Sequence, residues 1–258
     1  MADGDRGDVA SSRRRTALKR LALAFAAAVS GCTSTPSYPP AAPSTGRRTP
    51  PTEQGFRASD AVKSDIDVAA EILAKESLAS ARLLMEKLYR RNPREWSKGG
   101  FASADAAMAK AFDPQRQFNF PELHYVRGSD AIALALRVDY PGDRVFAFGV
   151  GLASMTFLAC NGKTEFYLTD ALDPQKLYHS ARNVEIAAWK LANARSPGGE
   201  LLILSNEMAG EAPNLSFERE FGKIIACQDA MALIAAQRTN RTIRRVVQTL
   251  ATAVFLPI

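Results

Sequence analysis

Eighteen consecutive uncharged residues, running from Val145 to Gly162 (VFAFGVGLASMTFLACNG), constrain this chain more than any other feature. Such a run either forms a helix buried on every side or enters a membrane, because a half-exposed helix would show polar residues at each turn. Its length sits at the lower limit for crossing a hydrocarbon core. It also contains Gly149, Gly151, Ser154 and Thr156, and lies between charged, amphipathic segments. A buried central helix is the expectation. Gly149-x-Gly151-x-x-Ser154 with Asp170 downstream is a weak match to a dinucleotide fingerprint. The third small residue is Ser, and about ten residues before the next strand barely hold a crossover helix.

The flanking sequence reads as helix. Ser59-Asp60 can cap a helix running to about Arg91, with Ile66, Ala69, Ala70, Leu73, Leu84 and Leu88 at three- and four-residue steps, and Asn92-Pro93 ends it. A short Ala-rich helix is expected over 103–112, closed by Asp113-Pro114, and Ser129-Asp130 would cap another over 131–138. Asp173-Pro174 opens a helix through Leu177, Val184, Ala188 and Leu191, broken by Pro197-Gly198-Gly199. Residues 201–204 fit a short strand or a helical turn. From 216 to about 254 the pattern is almost wholly helical. One stripe holds Phe217, Phe221, Ile224 and Ile225; another holds Ile243, Val246, Val247 and Leu250. The fold class expected is mainly α, a single helical-bundle domain over residues 59–258 behind a disordered tether.

The first 58 residues have a different character. Arg13-Arg14-Arg15 and Lys19-Arg20 precede an apolar run, LALAFAAAVS, that is too short to cross a bilayer and ends at Val29-Ser30-Gly31-Cys32. In these residues the chain resembles a bacterial lipoprotein precursor, whose lipobox reads aliphatic, small, small, Cys. The resemblance implies that residues 1–31 are a signal peptide and that Cys32 is lipidated and becomes the mature N-terminus. With Thr33 rather than Asp after the Cys, it further implies an outer-membrane position facing the periplasm of a Gram-negative envelope. Arg13 to Lys19 fits either a general secretory or a twin-arginine signal, Ala17 standing where the latter prefers Phe. Residues 32–58 are rich in Pro, Ser and Thr and bury too little apolar surface to offset ordering entropy, as expected of a flexible linker.

Charge excludes one broad class of partner. The chain carries 33 Lys/Arg and 27 Asp/Glu, but nine of the basic residues lie before residue 59. Residues 59–258 hold 24 basic and 23 acidic side chains, so no clustered excess suits a nucleic acid.

No catalytic, metal-binding or cofactor-binding constellation stands out. His124 and His179 lie far apart without converging donors, and Glu218 and Glu220, two apart on a helix, point to different sides. Cys160 and Cys227 either pair as a disulfide or remain two separately buried thiols. Arg238, Arg241, Arg244 and Arg245 form a basic stripe suited to an acidic partner or lipid phosphate, and Tyr89 to Trp96 is a second basic–aromatic cluster. The functional expectation is a lipid-anchored, non-enzymatic envelope module that contacts the membrane through Cys32 and has another envelope protein as its partner. The alternative is an exported small-molecule-binding protein or enzyme with an apolar pocket near Val145–Cys160.

Replacing Cys32 with Ala is expected to abolish incorporation of a radiolabelled fatty acid and to move the protein from the membrane fraction to the soluble one. Label retained in the variant would contradict the lipobox reading.

Overall fold

The computed structural model describes residues 63–206 and 215–258, in which seven α-helices form a mainly α bundle. They are α1 (Asp65–Arg91), α2 (Glu95–Lys98), α3 (Ala104–Ala111), α4 (Gly128–Ala135), α5 (Arg144–Ala159), α6 (Pro174–Asn193) and α7 (Ser216–Thr239). The signal peptide, Cys32, the linker and the Ser59-Asp60 cap lie outside the described residues.

The uncharged run becomes α5, and every residue from Arg144 to Phe157 is buried. No helix among the described residues is long and apolar enough to cross a membrane. α1, α4 and α6 pack around α5, and α7 packs against α1 and α6. Phe146, Phe148, Leu152 and Met155 from α5 meet Leu84, Met85 and Leu88 of α1, Ile132 of α4 and Phe217 and Phe221 of α7 in one apolar core.

Full burial requires that each polar group on α5 find a partner. The Asp143 carboxylate caps the helix, accepting from the Phe146 amide at 2.8 Å. Ser154 donates back to the Val150 carbonyl at 2.6 Å and accepts from the Gly128 amide, the first of α4, at 2.7 Å. Thr156 bridges Ser77 of α1 at 3.1 Å and Gln228 of α7 at 2.8 Å.

Gly149 and Gly151 serve helix packing rather than phosphate approach. A Cβ on Gly149 would lie 2.5 Å from Met85 Sδ, and one on Gly151 would lie 2.9 Å from both the Gly128 carbonyl oxygen and the Ile132 amide nitrogen. α4 therefore crosses α5 backbone to backbone at Gly151.

Several boundaries differ from the sequence expectation. α1 starts at Ser64, which forms a capping box with Asp67. Its first turns bury Asp67 and Glu71 and leave Ile66 and Ile72 on the surface, because Asp67 pairs with Arg238 of α7 across the bundle and Glu71 pairs with Lys63 just before the helix and accepts from the Phe166 amide. α4 starts at Gly128, so Ser129 and Asp130 lie in its first turn rather than at its cap. Residues 201–204 contribute only one bridge, Arg195 with Leu201.

The largest departure is at the C-terminus. α7 stops at Thr239, Asn240 takes a left-handed conformation (φ 50°), and residues 241–249 join no helix or strand; at Arg244 and Val246 the amide and carbonyl of one residue point the same way, as in extended backbone. Five of residues 240–249 are β-branched, and these stiff side chains favour extended backbone.

Gly151→Ala should cost about 1–3 kcal/mol of stability, since backbone atoms of α4 block the new methyl. Gly222→Ala, on the open side of α7, should gain about 0.5–1 kcal/mol. Urea unfolding of the two variants checks the contrast, which vanishes if α4 and α5 do not meet closely.

Candidate partner-binding surface

At the corner joining α1, α2 and α5, the Tyr89 hydroxyl donates to Asp143 at 2.7 Å, and Glu95 accepts from the Arg144 amide at 2.8 Å and from Lys98 at 2.6 Å. The Arg144 guanidinium donates to the carbonyls of Ala135, Arg137 and Val138 at 2.7, 2.6 and 3.1 Å, closing the open C-terminal end of α4. Burial pushes the Asp143 carboxyl up to about 6, partly offset by the hydrogen bonds it accepts. Burial and the neighbouring Asp143 also raise the Tyr89 phenol. Tyr89, Glu95, Asp143 and Arg144 are all buried and bonded, with exposed Lys98 closing the cluster at the surface. They hold the corner together, and Trp96 packs half-buried against the core beside them rather than standing out as an interface anchor.

Other charged clusters are likewise structural. Glu71 bridges Lys63 at 2.5 Å and the Phe166 amide at 2.9 Å. Glu220 is buried beside Lys87, Lys223 and Arg219; burial raises its carboxyl, but the cations outweigh this and hold it below the ordinary range. Glu218 points away to Asn206 at 2.6 Å, so the two glutamates do face apart. Among the described residues no group of three His, Cys, Asp or Glu converges as metal ligands would.

Cys160 and Cys227 are free thiols, the second of the two alternatives. Cys160 lies buried at the end of α5, where burial pushes its thiol up to about 12. Cys227 is half-buried midway along α7, raised by burial and by nearby Glu76.

The four arginines of the basic stripe separate. Arg238, on the last turn of α7, pairs with buried Asp67 and donates to the Leu168 carbonyl at 2.8 Å, so it locks α7 to the start of α1. Burial raises the Asp67 carboxyl, but bonds from Ser64 and Arg238 bring it below its ordinary value. Arg241, Arg244 and Arg245 follow on the extended segment, exposed, and none has a side-chain partner among the described residues. No acidic side chain occurs after Asp229 to neutralise them.

This segment, residues 240–258, is a strap held across α6 by side chains reading its backbone. Gln175 donates to the Arg244 carbonyl at 2.9 Å and accepts from its amide at 2.8 Å. The Tyr178 hydroxyl meets the Val246 amide at 3.1 Å. Asn183 does to Leu256 what Gln175 does to Arg244, at 2.8 and 2.7 Å. Gln248 closes the strap on itself by bonding both backbone groups of Val254. His179 donates from Nδ1 to the Pro257 carbonyl at 2.7 Å and accepts from Gln175 at Nε2, a pairing that sets its tautomer and gives it a fastening role. His124 sits exposed in a left-handed turn elsewhere.

Between the strap and α7 runs a recess of about 540 Å³, lined by Tyr178, Arg182, Asp229, Leu233, Ile243 and Arg245. Arg182 lies over the Tyr178 ring and pairs with Asp229 at 2.7 Å and Glu185 at 3.1 Å. Leu233 on its rim is 63% exposed. A second recess of about 350 Å³ continues along the α6–α7 seam past Trp189, Phe221, Ile225 and Leu250. Neither recess is lined by a residue of the 145–160 stretch, whose α5 side chains fill the core instead. Chemically, this surface offers unpaired guanidinium groups, aliphatic side chains and exposed extended backbone. It has no nucleophile–base pair.

Comparison of the chain with protein-family models, with curated proteins and with solved structures finds no match.

Asp143 binds a proton more tightly in the folded chain than in the unfolded one. Its contribution therefore favours folding below pH 4 and is lost as the pH rises through about 6. The unfolding free energy of the wild type minus that of Asp143→Asn should fall by about 3 kcal/mol between pH 3.5 and 7. The lowered carboxylates of Asp67, Glu71 and Glu220 act in the opposite direction and cancel in this difference. A flat difference would mean that Asp143 ionises as it does in the unfolded chain.

Proposed function

We propose that this chain is a lipid-anchored envelope protein that acts without chemistry, presenting its helical domain to another envelope protein through the strap and the adjoining recess. The observation that carries this reading is the set of exposed, unpaired guanidinium groups of Arg241, Arg244 and Arg245 on a fixed extended segment. The buried and half-buried charges described above each have an opposite charge or a hydrogen-bond partner beside them, whereas the side chains of these three exposed arginines have neither among the described residues. Leaving three arginines unpaired at one place gives up internal pairing and favours an acidic surface brought from outside.

Supporting this, the buried polar clusters serve helix ends and corners, and the recesses lie along the strap rather than around α5. Anchoring at Cys32 with the 33–58 segment as a tether would keep such a surface near the membrane yet able to reach a partner. The side chains from Val145 to Phe157 fill the core, which favours this reading over a small-molecule pocket beside that stretch.

The test is in-cell crosslinking with the wild type and with Arg241→Glu, Arg244→Glu and Arg245→Glu combined. The expected result is a discrete crosslinked partner whose yield drops at least tenfold in the triple variant and falls with added salt, while the thermal midpoint of the protein is unchanged. Equal crosslinking by both proteins would contradict the proposal.

A further inference from the structure

The strap is built like the edge of a β-sheet that lacks its next strand. In extended backbone, the amide and carbonyl of successive residues point to opposite edges, so residues two apart share an edge. The structure shows this parity directly. Arg244 turns both backbone groups to Gln175, and Val246, two residues on, turns both to the Tyr178 hydroxyl. Ile243, Arg245 and Val247 therefore direct theirs to the other edge. No hydrogen bond from those three amides or to those three carbonyls occurs among the described residues. Ile243 and Arg245 line the 540 Å³ recess on that side, and Val247 is 96% exposed.

An open edge of this kind is a template for strand addition. Residues 242–248 offer roughly 23 Å of it at about 3.3 Å per residue. The side chains say which strand it accepts. A second copy of this chain would lay three arginines beside three arginines, and like charges facing across a strand pair are destabilising. Along the strap Arg241, Ile243, Arg245 and Val247 share one face, and Thr242, Arg244 and Val246 the other. An acidic strand that alternates with aliphatic residues would set its carboxylates against Arg241 and Arg245 on the first face and its aliphatic side chains along Thr242 and Val246 on the second.

We propose that the outer edge of residues 242–248 binds an extended acidic segment of a different protein by backbone pairing, making a two-stranded ribbon backed by α6. This rests on the partner-surface reading above and adds the mode of recognition. The ribbon is asymmetric in its holding: one edge is fastened by the side chains of a helix, so the strap is already extended before its partner arrives and binding has less ordering to offset.

The experiment uses the full chain and an acetylated, amidated eight-residue peptide alternating Glu and Val, carrying a fluorophore, read by anisotropy. Two companions accompany it: the same peptide N-methylated at every amide, which keeps the charge and removes the donors, and a version with Lys in place of Glu. Saturable binding of the acidic peptide is expected, weakened at least tenfold by N-methylation, by Lys for Glu and by the triple arginine reversal. Equal binding of the N-methylated peptide would overturn strand pairing and leave charge attraction alone. Failure of the acidic peptide to bind at millimolar concentration would overturn it too. So would arginine-dependent binding to phosphatidylglycerol vesicles without peptide binding, or concentration-dependent dimerisation of the protein alone in sedimentation. If the peptide fails while arginine-dependent crosslinking to a partner persists, strand pairing falls and the partner surface stands. If both fail, the surface itself is refuted.

Discussion

Everything else in the bundle follows from the burial of α5. A sixteen-residue helix with no polar face can exist in water only if neighbours cover it all round and every polar atom it carries is bonded. That requirement explains features that otherwise look unrelated. Gly151 lets the backbone of α4 come close enough to seal one side, while Ser154 bonds the first amide of that same helix. Thr156 ties α1 to α7, and Asp143 caps the helix while holding the Tyr89 hydroxyl of α1. The Arg144 guanidinium, itself at the start of α5, then ends α4 by bonding three carbonyls.

Outside that core, irregular segments are fastened by paired contacts from single side chains. Asn92 bonds both backbone groups of Leu204, Gln175 those of Arg244, Asn183 those of Leu256 and Gln248 those of Val254. A carboxamide has a donor and an acceptor at the spacing of a neighbouring strand's backbone, so it can stand in for a strand. Three of these four clamps act on the last fifteen residues. The strap is therefore a fixed extended segment rather than a fraying tail. Its arginines are held outward while its backbone is held inward, which is the arrangement the proposed function uses.

Much of this was legible in the sequence, and the failures have physical causes. The uncharged run announced a buried helix because no amphipathic alternative fits it. Asp173-Pro174 and Asn92-Pro93 marked the boundaries of α6 and α1 because capping and proline geometry are local. Ile66 is expected in the core and is 44% exposed, since the ion pairs of Asp67 and Glu71 turn their own face of α1 inward, and Arg238, the partner of Asp67, lies far away in sequence. The helical pattern after Thr239 misled for a related reason: the apolar spacing fits a helix, but Asn240 and the β-branched residues beyond it favour leaving one. Arg238 belongs to a basic run in the sequence, yet its role is set by a partner 171 residues away. The clamps on the strap carry no signature beyond ordinary Gln and Asn, and only the fold brings them to the backbone they hold.

Residue-resolved hydrogen exchange on the purified full chain tests the account most directly, since it reads the closed core and the open edge at once. The account predicts that amides from Phe148 to Met155 exchange only through global unfolding. It further predicts that Arg244 and Val246 are protected while Ile243, Arg245 and Val247 exchange near the rate of free peptide. Fast local exchange within α5, or uniform protection or uniform exchange from 243 to 247, would contradict it.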